Sequence, residues 1–354
     1  GFIDVKGAGS DLHLPYFYAV GIGVPYDIYP LHNGSFAGIP NDFGYRLSFR
    51  VTDSFGVPVA NLPVSFRIVS GGGKFNSVGG DKTTDALGNA SVFVDLGPSG
   101  DQIFTGTAGG LTQRFEGALY NLPAIKNGGV VNAAPPYQAG QGLAPGSYIS
   151  IFGTDLSDTT LVESTQYLPL SLAQVSVSFD GGGKSLPGRI HFVSPGQVNV
   201  QIPWEFQGQS SVKIKVTNYG LWGNVYTVPL NTYAPGIFAI TDGATNAVVW
   251  NVSPGTSPAK RGGSLVIYSN GLGPVNAPQA SGEPNLSADL VRTNATPTVT
   301  IGGRTAGLIF SGLAPGFVGL YQVNVSVPSD APTGTQPLKL SIGGQDVTVN
   351  VVVQ

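Results

Sequence analysis

The chain has 354 residues, 41% of them hydrophobic, a net charge of -3 and only 10% charged residues, far below the usual quarter. The scattered Lys and Arg form no basic stripe for nucleic acid and no polybasic membrane anchor, and no apolar run approaches the ~20 residues of a membrane span. Gly 52 and Pro 27 call for many turns and few long helices, so the composition predicts an all-β protein of short strands. With no Cys, any sandwich here is stabilised without disulfides. With no Met either, a leader removed by processing or omitted is expected.

In chain order, Gly1-Phe-Ile-Asp-Val-Lys6 and Leu12-His-Leu-Pro-Tyr-Phe-Tyr-Ala-Val20 read as two strands around the turn Gly7–Asp11. Two strands alone are marginal in water, so this hairpin, residues 1–22, must dock on something larger. Residues 23–121 read as an Ig-like sandwich. Period-2 alternation puts Leu47, Phe49 and Val51 on one strand face and Val64, Phe66 and Ile68 on another. Asp53–Pro58 and Thr84–Asn89 are turns, and Gly71-Gly-Gly-Lys74 is a loop.

Residues 122–146 are rich in Pro, Gly and Ala and read as a linker running into a first strand. Two copies of one pattern follow. Ser147–Leu156 and Ser194–Pro203 recur as Ser264–Gly273 and Tyr321–Pro328, with Gln-Val-Asn-Val in the same place each time. Such internal repeats predict tandem modules, here units 122–236 and 237–354. The expectation is an all-β chain of tandem Ig-like β-sandwiches preceded by a β-hairpin. Phe238 in Ala234–Phe238 is expected to be buried where the two repeats meet.

Three resemblances accompany this reading. RVTDSFGVPVANLPVSFRIVSGGG and TTDALGNASVFVDLG, within 40–117, resemble bacterial Ig-like domains of the invasin and intimin type, which implies an extracellular spacer or adhesive stalk. VVNAAPPYQAGQGLAPGSYISIFGTDL, FVSPGQVNVQIPWE, YAPGIF, SNGLGPVN and TVTIGGRTAGLIFSGLAPGFVGLYQVNVSVPSDAPTG, within 128–354, resemble the paired C-terminal module of secreted acidobacterial, Solibacter-type proteins, which implies an exported terminal sandwich pair and nothing catalytic. Residues 1–20 resemble the last strands of the small β-domain trailing secreted subtilisin-like proteases, which implies that a precursor carries the protease upstream.

Catalytic chemistry finds little footing. The histidines are His13, His32 and His191, and no Ser sits in a Gly-x-Ser-x-Gly elbow. Gly181-Gly-Gly-Lys-Ser185 lacks the first glycine of a phosphate loop, Ser178 standing there, and Leu186-Pro-Gly cannot open a helix. It reads as a hairpin turn. No enzyme activity and no cofactor are expected. A structural calcium ion between modules fits the architecture, with Asp53, Asp81, Asp85 and Asp101 as nearest ligands, against the plainer reading of solvated turn aspartates.

In Gln197–Ile202, Val198, Val200 and Ile202 face the core, leaving Gln197, Asn199 and Gln201 outward; Gln322 and Asn324 repeat this in the second copy. An uncharged amide face suits pairing with another protein, and equally an ordinary solvated face. Tyr16, Phe17, Tyr18, Tyr26, Tyr29, Trp204, Phe206, Tyr219 and Trp222 lie outside the evident core positions, either packed at interfaces and in the core or stacked on sugars. Asn33, Asn89, Asn251, Asn285, Asn294 and Asn324 each begin an Asn-x-Ser/Thr triplet open to a surface glycan.

The chain therefore reads as a secreted structural protein of a bacterial surface: a stalk, adhesin or filament subunit. Its partners are identical subunits. The alternative is a carbohydrate-binding accessory module released from a secreted hydrolase. The expected assembly surface is Phe2, Ile3, Leu14, Tyr16 and Tyr18 on the hairpin, with the amides Gln197, Asn199, Gln201, Gln322 and Asn324. The hairpin packs on an adjacent subunit or folds back on 23–121.

Overall fold

In this computed structural model the described residues are Gly1–Gln354 without Ala8, Ser10, Phe17, Tyr18, Gln138, Ala139, 251–256, Pro278, Ala288 and Asp289; Ser77 and Val78 are described by backbone alone. They form strands and one 3-10 turn, Trp204–Phe206. The fold is all-β and nearly every strand pair is antiparallel. The chain divides into two compact units, Gly1–Asn121 and Leu122–Gln354.

The first unit holds a hairpin and a sandwich. Phe2–Val5 pairs with Leu12–Pro15, and among the described residues no third strand joins them. One sheet of the sandwich orders Asp27–His32, Tyr45–Thr52, Asn89–Asp95 and Lys74–Gly80. The other orders Ser35–Gly38, Leu111–Leu119, Gln102–Ala108 and Val64–Ser70, with Ser35–Gly38 parallel to its neighbour. Leu47, Phe49 and Val51 are fully buried between the sheets, with Val92, Val94, Phe104 and Phe115. The alternation expected at Val64, Phe66 and Ile68 stops early. Val64 and Phe66 are half-buried against the core, but Ile68 is 37% exposed. A register shift between Ile68 and Ser70 breaks the period of two on this edge strand.

The second unit holds two sandwiches with one strand plan. In the first, a sheet runs Ala124–Asn132, Tyr148–Thr154, Gln197–Gln201, Arg189–Ser194 and Leu161–Val162. It faces a sheet built on Val175–Gly181 and Ser211–Asn218. In the second, Gly236–Asp242, Ser264–Asn270, Tyr321–Ser326 and Gly307–Leu313 are the equivalent strands, with Val248–Trp250 at the edge. They face Arg304–Thr305, Thr298–Ile301, Gly334–Ile342 and Gln345–Val353. The repeated phrases are thus neighbouring central strands: Tyr148–Thr154 beside Gln197–Gln201, and Ser264–Asn270 beside Tyr321–Ser326. Val198, Val200, Ile202, Val323 and Val325 are fully buried, because alternate residues of a strand point to one face.

Two expectations are corrected here. The stretch read as a linker contains a nine-residue strand, Ala124–Asn132, with Ile125 and Val130 in the core. A bulge between these two residues hides their alternation among glycines. Phe238 is half-buried, while Ile237 is fully buried. The register of Gly236–Asp242 against Ser264–Asn270 skips Phe238, so the bulge residue leaves the core and its neighbour takes the inward place. Gly181-Gly-Gly-Lys-Ser185 is the expected hairpin turn: Gly182 and Gly183 carry φ of 57° and 75° between two paired strands, which glycine adopts without a Cβ clash.

The two sandwiches of this unit are joined by side chains far apart in sequence. Asn270 is fully buried. Its Oδ1 accepts from the Tyr148 N–H (3.1 Å), and its Nδ2 donates to the Tyr148 carbonyl (2.8 Å) and to Asn132 Oδ1 (2.7 Å). Asn132 Nδ2 donates onward to the Ala234 carbonyl at 2.8 Å. Trp204 leaves its own sandwich and is part of the hydrophobic core of the next.

Candidate functional site

The hairpin is amphipathic, and its apolar side is uncovered. Its register places Ile3 opposite Leu14 and Val5 opposite Leu12. Since Cβ atoms alternate across a strand, Ile3, Val5, Leu12 and Leu14 share one face, and Phe2, Asp4, His13 and Pro15 the other. Asp4 pairs with His13 on that second face, Lys6 pairs with Asp11 at 3.1 Å, and Gly1 and Tyr16 exchange backbone hydrogen bonds that close the open end. Phe2, Ile3, Val5, Leu12, Leu14 and Tyr16 are all exposed, from 44% at Val5 to 68% at Phe2. Tyr18 and Phe17 lie outside the described residues. Val5 and Leu12 complete the apolar face and escaped the sequence reading, although Ile-Asp-Val and Leu-His-Leu show the alternation that marks them.

The arm behind the hairpin is tied to the first sandwich at Asp53, and further along the Tyr26 N–H donates to the Thr52 carbonyl at 2.9 Å. The Ile22 N–H donates to the Asp53 carboxylate at 2.7 Å, and Phe55 and Val57 donate to the same carboxylate at 2.9 and 3.0 Å. Gly21 passes so close to Val57 that a Cβ there would lie 2.7 Å from its side chain. Val20, Ile22, Val24 and Tyr26 remain exposed along this arm. Burial pushes the Asp53 carboxyl upward, but the N–H groups of Ile22, Val57, Phe55 and Gly23 outweigh it and hold its pKa below the ordinary aspartate value.

A depressed carboxyl favours the folded state above the unfolded pKa of about 4 and loses that contribution as pH falls through the folded value. Acidification below about pH 4 is therefore expected to release the arm, read as falling hydrogen-exchange protection at Ile22. Asp53→Ala should show the lowered protection already at neutral pH. Equal protection in the two proteins would show that Asp53 is not the tether.

The amide faces are partly as expected. Gln197, Asn199, Gln322 and Asn324 are half-buried and outward. Gln197 donates to Asn199 at 2.8 Å and Gln322 to Asn324 at 2.9 Å, the same bond in both copies. Gln201 departs from the pattern: it is fully buried. Its Nε2 donates to the Gly146 carbonyl at 3.0 Å and its Oε1 accepts from the Gly282 N–H at 2.7 Å. The following sandwich closes over the end of its strand, so Gln201 belongs to an internal junction and offers no outer surface.

Other residues singled out by the sequence resolve into structure. Asp85 accepts from Leu87 and Asn89 within its own turn, and Asp81 accepts from Ser91 of the strand Asn89–Asp95. Among the described residues no three His, Asp or Glu side chains gather as metal ligands. His32 bonds Ser48 at 2.8 Å. His191 lies edge-on to Tyr148, with ring centroids 5.9 Å apart; burial lowers its pKa and Glu163 partly opposes this. Trp204 and Phe206 are buried, while Tyr219 and Trp222 are exposed, with Lys215 5.0 Å from the centre of the Trp222 ring. Asn285 is buried and bonds the Leu313 carbonyl, which removes it as a glycan acceptor in the folded chain. Asn251 lies outside the described residues.

No protein-family model and no curated protein matches the chain. Among solved structures it is similar to a C-terminal fragment of intimin in complex with the intimin-binding domain of its translocated receptor (12% identity, TM-score 0.34, covering 62% of this chain and 67% of that one). It is similar also to a three-Ig fragment of titin (10%, 0.31, 94% and 98%) and to the Escherichia coli adhesin FdeC (11%, 0.25, 92% and 96%).

Proposed function

We propose that this chain is a non-enzymatic structural protein of a bacterial surface, a stalk, adhesin or filament subunit exported from the cell, and that it assembles with identical chains through its N-terminal hairpin. The observation that carries this reading is the uncovered face of Ile3, Val5, Leu12 and Leu14 on a two-stranded sheet with two free edges. A free edge recruits another chain, and an extended segment added to a neighbour's sheet is held by backbone hydrogen bonds. The scarcity of charge weakens repulsion between copies.

Magnitudes say what the contact requires. Fully burying an aliphatic side chain gains roughly 1.5–3 kcal/mol, so four that are half-exposed gain roughly 3–6 kcal/mol. Association costs about 4–15 kcal/mol. The face alone does not sustain a complex at micromolar concentration, which needs about 8 kcal/mol net. Backbone pairing at the edge and the exposed arm residues Val20, Ile22, Val24 and Tyr26 must contribute.

Ile3→Lys combined with Leu14→Lys changes only exposed positions. It should leave the sandwiches folded and suppress polymers seen by light scattering and electron microscopy. Polymers forming as readily as with the native chain would refute the role of this face.

A further inference from the structure

A docking hairpin needs an acceptor, and the first sandwich carries an edge strand at Val64–Ser70. We propose that strand Phe2–Val5 of one copy adds to the edge strand Val64–Ser70 of a second copy, an assignment that rests on the self-assembly reading above.

In the two sheets of this sandwich, Asp27–His32 and Ser35–Gly38 form one flank, and Lys74–Gly80 and Val64–Ser70 the other. The arm enters at Asp27–His32. Among the described residues Val64–Ser70 pairs as a strand with Gln102–Ala108 alone, and on its outer side the Val64 N–H donates to the Lys82 carbonyl, which leaves the edge from Ser65 onward for a further strand. The flank is also incompletely sealed. A cavity of about 260 Å³ opens there, lined by Phe66, Phe75, Gly79, Gly80 and Val92 among others, and the adjoining Ile68 is exposed. Arg67, on the outward face of the same strand, is exposed and makes no ion pair among the described residues.

The two strands match in pattern. Phe2–Val5 presents Ile3 and Val5 on its apolar face with Asp4 between them on the other. Val64–Ser70 carries Phe66, half-buried, and Ile68, exposed at the open flank, as alternate residues, with Arg67 between them on the other face. A register that sets Asp4 across from Arg67 also sets Ile3 and Val5 across from Phe66 and Ile68, whether the strands run parallel or antiparallel. Opposed apolar pairs and an opposed charge pair are the contacts that stabilise neighbouring strands. Leu12 and Leu14, on the same face as Ile3 and Val5, then extend over the open seam between the sheets. Donor and acceptor are different strands of one copy, so each contact leaves a free donor and a free acceptor. Such a heterologous contact does not close unless its rotation happens to form a ring, and it propagates as a filament.

The chain has no cysteine, which makes a pairwise cross-link decisive. Asp4→Cys protein is mixed with Arg67→Cys protein, allowed to assemble and oxidised. Directly opposed residues on paired strands meet the Cα separation of about 4.4–6.8 Å that a disulfide needs, so about tenfold more covalent dimer is expected than from Asp4→Cys mixed with Thr348→Cys, an exposed position elsewhere. As a second readout, Asp4→Arg should weaken polymerisation and Arg67→Asp in the same chain should restore it. Polymers that give no excess cross-link and no rescue overturn this acceptor and leave self-assembly standing. A native chain that stays monomeric under the same conditions overturns both.

Discussion

Trp204→Ala is expected to destabilise the unit Leu122–Gln354 by about 3–5 kcal/mol, the cost of emptying a large buried aromatic site. Trp204 is 8% exposed and sits on the 3-10 turn Trp204–Phe206 of one sandwich, yet belongs to the core of the next. Its backbone N–H donates to Ser281 Oγ at 2.9 Å, and Ser281 in turn donates to Glu205 at 2.8 Å. Its ring lies against Gly146, where a Cβ would fall 2.3 Å away; with φ of 85°, that position suits glycine on both counts. Elsewhere at the junction, Asn270, Asn132 and Gln201 link the two sandwiches through hydrogen bonds. Losing one partner of such a bond leaves a buried group unsatisfied, so the junction resists gradual loosening. The native unit should melt in one calorimetric transition. The variant should melt earlier and in two, because the plug that couples the cores is gone. A loss below about 1 kcal/mol with a single transition would mean that the contact contributes little to coupling.

The repeat was legible because it consists of central strands. Gln-Val-Asn-Val alternates strictly, both valines reach the core in each copy, and neither strand is interrupted where the phrase occurs. The amphipathic hairpin was legible for the same reason. What escaped lies where alternation breaks or where partners are distant. Ile68, the strand containing Ile125 and Val130, and Phe238 all sit beside bulges. One extra residue moves the following side chains to the other face, and no local residue pattern announces it. Gln201 continues the outward row of Gln197 and Asn199 but meets a loop of another sandwich, some 81 positions along the chain. Asn132 and Asn270 are 138 positions apart, and Trp204 reads locally as a surface aromatic after a proline. Asp53 looked like a turn residue or a calcium ligand. Its tie to Ile22 depends on where the arm crosses the sandwich.

The measurement that bears most directly on the proposed role is sedimentation velocity, with electron micrographs of the same samples, on the native chain and on a chain lacking residues 1–22. The hairpin pairs with nothing else within the described structure, and the sandwich cores contain none of its residues. The deletion should therefore leave every sandwich folded, with unchanged β-sheet circular dichroism and thermal unfolding. Polymers that grow with concentration are expected for the native chain and a single monomeric boundary, with no fibres, for the truncated one. Identical fibres from the truncated chain, or a native chain that remains monomeric at high concentration, would contradict the proposed role.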